Sequence, residues 1–447
     1  MEMVSGYTVR LLYSRCQTDA TEQKSEMSLF KHTFKNTLLI NLPAPAEQRI
    51  ALHVTRQAER ALRAGHPWLF NNSITKESRQ GRPGDLAVVF DQKRRFLAIG
   101  LYDPTSPIRL RVLHQGHPVT IDAAWFHAKV AQAVQLRTPL FTKQTTGYRL
   151  LHGENDGLPG LVTDRYDDTL VVKLYSAAWL PHLRHIIEGL LASQPVARIV
   201  LRLSRGVQQT PEYLYGVKDG QILMGPPLDG PLVFLENGLR FEVDPIAGQK
   251  TGFFLDQREN RARVEQLAAG KRVLNVFAYS GGFSLYAARG GAKTVTSLDI
   301  SQPALDAAVR NFALNQHVHS IAFAQHELLV GDAFKLLAEM GAEGQRFDLI
   351  IVDPPAFAKQ QSEVERALVA YAQLTRLALG VLEQGGTLVA ASCSSRVSAE
   401  RFFETIGGAA VAAGRPLAEF MRTAHALDHP IGFAEGAYLK CLFAAAP

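Results

Sequence analysis

Four side chains able to do chemistry stand at the ends of apolar runs in the C-terminal half: Asp299, Asp332, Asp353 and Cys393. Ahead of them Val273-Leu-Asn-Val-Phe277 leads into Ala278-Tyr-Ser-Gly-Gly-Phe-Ser284, and glycines at such a turn let backbone approach a ligand that side chains would exclude. Asp299 lies 24 residues after Asn275, a spacing at which a carboxylate can hold both hydroxyls of a ribose. Val330-Gly-Asp332 can set a second carboxylate against an adenine amino group. A helix N-cap is the alternative for both acids. In this order on one sheet they point to an adenosine cofactor.

A dehydrogenase nucleotide is disfavoured because the turn is not GxGxxG, and a P-loop is excluded because no GxxxxGK[ST] occurs. The Asp353-Pro-Pro-Ala-Phe-Ala-Lys359 segment makes a rigid wall whose acid and carbonyls can grip a base edge, since a Pro-Pro pair leaves little backbone freedom. Its alternative is a plain strand stop. Ala391-Ser-Cys393-Ser-Ser-Arg396 places a thiol at the end of the next strand, facing the same cleft. Cys16 and Cys441 read as structural, and three scattered cysteines make neither a disulfide framework nor a zinc site.

The elements that position these groups are legible as buried-strand runs. Val273–Phe277, Thr294–Leu298, Leu349–Val352 and Thr387–Ala391 alternate with helical segments, which predicts an α/β fold with a doubly wound, Rossmann-like parallel sheet over 236–447. Its chemistry belongs at the carboxyl ends of the strands. Residues 49–118 carry short β-like runs such as Leu86–Phe90 and Phe96–Gly100, a small β-rich domain. An α+β middle domain occupies 119–235, with helices near 123–136 and 183–191 and strands near 160–163 and 169–174. Residues 1–48, ending near Pro43-Ala-Pro45, read as a poorly ordered extension.

Of 447 residues, 47% are apolar and 20% charged, the balance of a folded soluble chain, too long for one core. No run suits a membrane span and no signal peptide opens the chain, so the expected location is the cytoplasm. The net charge of +6 is concentrated between Arg49 and His117, where twelve Lys/Arg face five Asp/Glu. That is what a polyanion-docking module looks like, with a solvated charged face as the plain alternative.

Together these motifs resemble the bacterial large-subunit ribosomal RNA cytosine-C5 methyltransferases of the RlmI type, over nearly everything after the extension. Arg63-Ala-Gly-His-Pro-Trp-Leu-Phe70, Gly84-Asp and Tyr102-Asp-Pro-Thr-Ser-Pro-Ile-Arg109 are similar to that family's PUA domain, which implies a small RNA-binding β-barrel over 49–118. Tyr148–Gly160 is similar to its linker domain. Gly248-Gln-Lys-Thr-Gly-Phe-Phe-Leu-Asp-Gln-Arg258, Asn275–Phe283, Asp299, Asn311 with Asn315, Asp332, Asp353-Pro-Pro and Ser392-Cys-Ser complete the match. The extension is not part of the pattern, and 200–235 matches less closely.

The resemblance implies S-adenosylmethionine (SAM) as methyl donor, Cys393 as nucleophile, and large-subunit ribosomal RNA as partner, with no metal and no membrane; a homodimer is kept open. It assigns the cofactor to Gln257, Arg258, Asn275, Phe277, Tyr279, Ser280, Gly281, Gly282, Phe283, Asp299, Asp332 and Asp353, with Gln249 to Arg258 lining the entrance. Cytosine C5 is a poor nucleophile, so a thiolate from Cys393 first adds to C6 while Asp353 stabilises charge developing at N3 and the exocyclic amine. The base that then removes the C5 proton is unmarked, with Asp428-His429 and Glu435 as candidates. Arg63, Arg94, Arg95, Arg109 and Arg111 are candidates for phosphate contacts. Two rivals are an amino-group methyltransferase acting by direct transfer, against which Ala356 separates the prolines from Phe357, and a non-catalytic RNA-binding assembly factor.

Overall fold

The structure, a computed structural model, describes residues 41–248 and 250–447, so Cys16, Gln249 and most of the expected extension lie outside the described residues. The first sheet has six strands: β1 (Ile50–Val54), β2 (Trp68–Phe70), β3 (Ile74–Glu77), β4 (Leu86–Phe90), β5 (Phe96–Tyr102) and β6 (Ile108–Gln115), in the order β2-β6-β5-β4-β1-β3. Helix α1 (Arg56–Arg63) follows β1, capped by Thr55, whose hydroxyl accepts the Ala58 N–H. All pairings except β1 with β4 are antiparallel.

Helix α2 (Ala123–Arg137) leads into a five-stranded sheet ordered β11-β10-β9-β8-β7, built from β7 (Gly147–His152), β8 (Leu161–Tyr166), β9 (Thr169–Leu174), β10 (Arg198–Leu203) and β11 (Gln221–Met224). Helix α3 (Leu183–Ser193) crosses from β9 to the parallel β10. One apolar cluster, including Leu86, Ile99, Leu170 and Trp179, joins the first two sheets. The hairpin β12 (Leu232–Glu236) and β13 (Leu239–Val243) straddles the boundary expected at 235/236, because Glu236 pairs with Leu239 across its turn.

The last sheet holds the candidate site. Strands β14 (Arg272–Val276), β15 (Thr294–Asp299), β16 (Gln325–Val330), β17 (Phe347–Val352) and β18 (Leu382–Ser392) are parallel, while β19 (Ala418–Thr423) and β20 (Lys440–Ala446) are antiparallel additions. The order β16-β15-β14-β17-β18-β20-β19 is doubly wound, as expected, with its switch point between β14 and β17. Both faces are covered, which is why the strands are nearly continuous apolar runs. Leu274, Ile350 and Leu388 pack under α7 (Ala333–Ala342), α8 (Val364–Val381) and α9 (Ala399–Ala412). Val273, Leu349 and Val389, one residue earlier or later and so on the opposite face, pack under α4 (Arg258–Leu267), α5 (Gly282–Arg289) and α6 (Gln302–Leu314).

Candidate active site and cofactor cleft

Register brings the chemistry together. Val276 is level with Leu298 on one side and with Val352 on the other, and Val352 is level with Ala390. Phe277, Asp299, Asp353 and Cys393 therefore emerge within a few residues of one edge. They line a cavity of about 270 Å³ together with Gln257, Tyr279, Ser280, Gly282 and Phe283.

The turn after β14 is strained. Phe277 and Tyr279 hold φ of 63° and 49°, the left-handed region that non-glycine residues enter at a cost of about 1–3 kcal/mol each. Neighbouring groups hold it there. Asp299 Oδ2 accepts the Tyr279 N–H at 2.8 Å, the Leu298 carbonyl accepts the Ala278 N–H at 2.9 Å, and Asn311 Nδ2 donates to the Ser280 carbonyl at 2.9 Å. Gly281, at φ 76°, starts α5, and a Cβ there would sit 2.7 Å from that of Ala308, so α6 packs against bare backbone. Asn275 does not reach the cavity lining: its Nδ2 donates to Ser284 Oγ at 2.9 Å beneath the turn.

Two further cofactor candidates are placed elsewhere. The Arg258 side chain is 1% exposed and its two terminal nitrogens donate to the two oxygens of Asp428, at 2.8 and 3.1 Å, so it is committed to a buried ion pair. Asp332 caps α7 by accepting the Lys335 N–H at 3.0 Å and lies outside the lining, which is the capping alternative in action. Asp428 and His429 are buried against each other, and Glu435 faces His66 at 3.6 Å, so none of the three candidates for C5-proton removal reaches the cavity.

Lys250, Phe254 and Asp256, within the 249–258 segment expected at the entrance, line the cavity, as do Arg261 and Leu439, which sequence reasoning missed. Lys250 Nζ lies 4.4 Å from the Phe254 ring centroid and 3.5 Å from Asp256 Oδ2. Arg261 is held bidentate by buried Glu236, both contacts at 2.7 Å. Lys440 is buried and donates to the Ser394 and Val397 carbonyls, both at 2.6 Å, which fixes the loop that follows Cys393. The signal for Asp256 is a lone carboxylate closing the apolar run Phe253-Phe254-Leu255, where a charge needs a partner.

Electrostatics divide the titratable groups. Burial, then the charge of Asp256, pushes the Asp353 carboxyl up to about 7 against the opposing pull of Lys250 and of the Gln257 hydrogen bond. Burial, then Asp353, pushes the Cys393 thiol up to about 11. Burial also raises Asp256, but Lys250, His429 and the Tyr438 hydroxyl outweigh it and hold that carboxyl well below the usual range. The cleft thus offers a thiol, a carboxyl able to hold or release a proton near neutral pH, and a fixed negative charge.

In the first sheet the expected RNA contacts separate. Arg94 is exposed, and Arg63 and Arg95, also exposed, both reach Asp91 at 2.9 Å. Arg109 lies half-buried over the Tyr102 ring at 5.7 Å. Arg111 is 5% exposed and reaches Asp103 at 3.4 Å, so it is part of the core and not a free phosphate ligand.

Residues 149–416 match the S-adenosylmethionine-dependent methyltransferase family, and residues 52–115 match the PUA-like domain. A protein of Deinococcus radiodurans named ribosomal RNA large subunit methyltransferase is 49% identical over 409 residues, covering 90% of this chain and 99% of that one. One from Pseudoalteromonas translucida, named ribosomal RNA large subunit methyltransferase I, is 38% identical over 88% of this chain and 98% of its own length. A solved Streptococcus mutans structure described as a SAM-dependent methyltransferase shares the fold at a TM-score of 0.75 and 22% identity, over 89% of this chain and all of that chain. Identity at this level over nearly whole chains, on a sheet whose edge gathers the expected groups, means that the chain belongs to the family of SAM-dependent ribosomal RNA large subunit methyltransferases.

Proposed function

We propose that this protein forms 5-methylcytidine in large-subunit ribosomal RNA through a covalent adduct between Cys393 and C6 of the target cytosine. The observation that carries the reading is that Cys393 and Asp353, on neighbouring parallel strands, line one cavity with the Asp299 turn. The lining fits SAM. Asp299 can accept further hydrogen bonds at the ribose, Ser280 Oγ is a buried hydroxyl without a partner among the described residues, and bare Gly282 lets the ligand approach backbone. Phe277, Tyr279 and Phe283 supply apolar walls, and Gln257 orients Asp353. Bound there, SAM supplies an electrophilic methyl group for the enriched C5 carbon.

Cys393 adds to C6 and, in the same step, N3 gains a proton. The S–H bond breaks, C6–S and N3–H form, and the C5 carbon becomes electron-rich without net charge in the cleft. Asp353, near neutrality in proton affinity, is suited to pass that proton. After methylation a water takes the C5 proton, the C6–S bond breaks to restore C5=C6, and the N3 proton returns by way of Asp353, regenerating the Cys393 thiol and neutral 5-methylcytosine. The target must leave its stack to enter, which favours an unpaired or flipped nucleotide. Arg94, with Arg63 and Arg95, offers phosphate contacts from the first sheet, and the protein then works in the cytoplasm beside its RNA.

Direct transfer to an amino group needs an aromatic wall beside that amine. Phe357 instead packs on Tyr371, ring centroids 5.1 Å apart, which favours the thiol route. The test is tritiated methyl-SAM with large-subunit RNA lacking its modifications, comparing wild type with Cys393→Ala and identifying the nucleoside by mass spectrometry. The expected product is 5-methylcytidine, absent with the variant; amino-group methylation that survives the substitution overturns the reading.

A further inference from the structure

Two carboxylates share the wall that carries Cys393, and they are built differently. Asp256 is 5% exposed; its Oδ2 accepts the Tyr438 hydroxyl at 2.8 Å and faces Lys250, while its Oδ1 is buried with no partner among the described residues. The next residue, Gln257, donates to Asp353 Oδ2 at 3.0 Å, which fixes both carboxyls on one side of the cavity. A buried carboxylate oxygen left without a donor is costly, and such an orphan at a cavity wall is explained when a ligand brings the missing N–H.

The groups packed around the pair set their states. Lys250, His429, Tyr438 and Arg149 keep Asp256 ionised, so it can only accept hydrogen bonds. Burial and the Asp256 charge, opposed by Lys250, Gln257 and Arg261, let Asp353 hold a proton near neutral pH, so it can donate. One wall therefore presents an acceptor beside a donor, two carboxyls driven apart by their surroundings. Cytosine offers the complement, an exocyclic amine that donates beside an N3 that accepts. Uracil offers the reverse, a carbonyl oxygen beside an N3–H.

We infer that Asp256 is the specificity-determining residue for the target base: its free Oδ1 accepts the exocyclic amine of cytosine while Asp353 serves N3, and uracil is refused because its O4 would face that oxygen. The inference rests on the cytosine-C5 reading above and deepens it. Asp353 alone, able to accept or donate, discriminates poorly; the fixed charge beside it supplies the selection.

The test uses the full-length protein, SAM, and an RNA fragment carrying the position that the wild-type enzyme methylates, with 5-fluorocytidine or 5-fluorouridine at that one position. Fluorine at C5 cannot leave as a proton, so a methylated ring stays bonded to Cys393 and is counted on a denaturing gel. Wild type is expected to trap 5-fluorocytidine and not 5-fluorouridine. Asp256→Asn is expected to lower the preference for cytosine about 10- to 100-fold, and Asp256→Glu, which keeps the acceptor, to retain it at a reduced rate. Binding of S-adenosylhomocysteine by calorimetry confirms that each variant is folded. An unchanged preference in Asp256→Asn, or a lost one in Asp256→Glu, overturns the inference. So does accumulation of a covalent adduct by Asp256→Asn on ordinary cytidine RNA, which would make Asp256 the acceptor of the C5 proton. If wild type methylates cytidine with no adduct on the fluorinated fragment, the covalent reading falls instead. Base selection is then read from tritium incorporated into cytidine and uridine fragments, where the same loss of preference in Asp256→Asn is required.

Discussion

Gln257 Nε2 donates to Asp353 Oδ2 at 3.0 Å, joining the segment that enters α4 to the Asp-Pro-Pro corner after β17. The bond favours the ionised carboxylate and so opposes the burial that lifts Asp353 to about 7. Removing it in Gln257→Leu raises the proton affinity of Asp353 further. The limb of the kcat/KM profile that reports Asp353 is then expected to move to higher pH, with about a tenfold change in kcat/KM at pH 7. A pH–rate profile of methyl transfer with limbs unmoved by the substitution removes Asp353 from the titrating chemistry.

Cys393 is predominantly a thiol at neutral pH, since burial and then the Asp353 charge hold it up at about 11. Both effects disfavour the thiolate, so deleting the carboxylate charge lowers the pKa and enlarges the thiolate fraction. Asp353→Asn is therefore expected to alkylate faster with iodoacetamide at pH 8, about tenfold for each pKa unit recovered, even as methyl transfer fails. The rate is read by mass spectrometry on the Cys393 peptide, because Cys441 is also a free thiol, though fully buried. Slower alkylation in the variant contradicts the electrostatic assignment.

These two residues were legible in the sequence for a physical reason. In a parallel sheet the strand ends are level, so an apolar run followed by Asp353 and another followed by Cys393 place both groups at one edge once the strands are neighbours. Asp299 is legible in the same way. Asp256 was legible only as part of the 249–258 entrance segment and its own role was not, because one partner is distant in the chain and the other depends on local backbone: Tyr438 reaches it from just before β20, and Lys250 from a turn with φ 55°. Arg258 shares the same motif, and spacing alone does not say that its helix turns the guanidinium away from the cleft toward Asp428. Asp332 shows the limit of motif reading, since a carboxylate one residue ahead of a helix caps it whether or not a ligand is near.

The Arg258–Asp428 pair gives a stability prediction that separates a structural role from cofactor binding. Both side chains are at most 1% exposed, and Asp428 Oδ2 also accepts the Arg149 N–H at 2.9 Å, tying the last domain to the middle sheet. Arg258→Met leaves Asp428 with a buried charge that has lost its bidentate partner, and the expected cost is about 3–5 kcal/mol. Burial pushes Asp428 up, but His429 and Arg258 outweigh it and hold the carboxyl well below its usual value. A depressed carboxylate stabilises the fold above its unfolded pKa, near 4, and that contribution is lost as pH falls toward the folded value. The variant should therefore be less stable at pH 7 and its stability less steeply dependent on acid than wild type. Urea unfolding across pH measures both. Calorimetry with S-adenosylhomocysteine should show nearly unchanged affinity; a large loss of affinity with intact stability would return Arg258 to the cofactor site.

The arginines of the first sheet should divide by burial and not by charge. Arg94, exposed and in a left-handed turn between β4 and β5, pairs with no carboxylate among the described residues, whereas Arg63 and Arg95 share Asp91. A phosphate contact made by Arg94 releases a counterion, so Arg94→Ala is expected to weaken RNA binding across sequences and to reduce the slope of log affinity against log salt by about 1. Arg111→Ala should act otherwise. It strips Asp103 of a buried partner that also packs beside Gly160, and it should lower thermal stability while leaving the salt slope of the folded protein unchanged. Fluorescence anisotropy with labelled large-subunit RNA fragments between about 50 and 200 mM salt distinguishes the two, and a reduced slope for Arg111→Ala with normal stability would move the RNA path into the seam between the first and middle sheets.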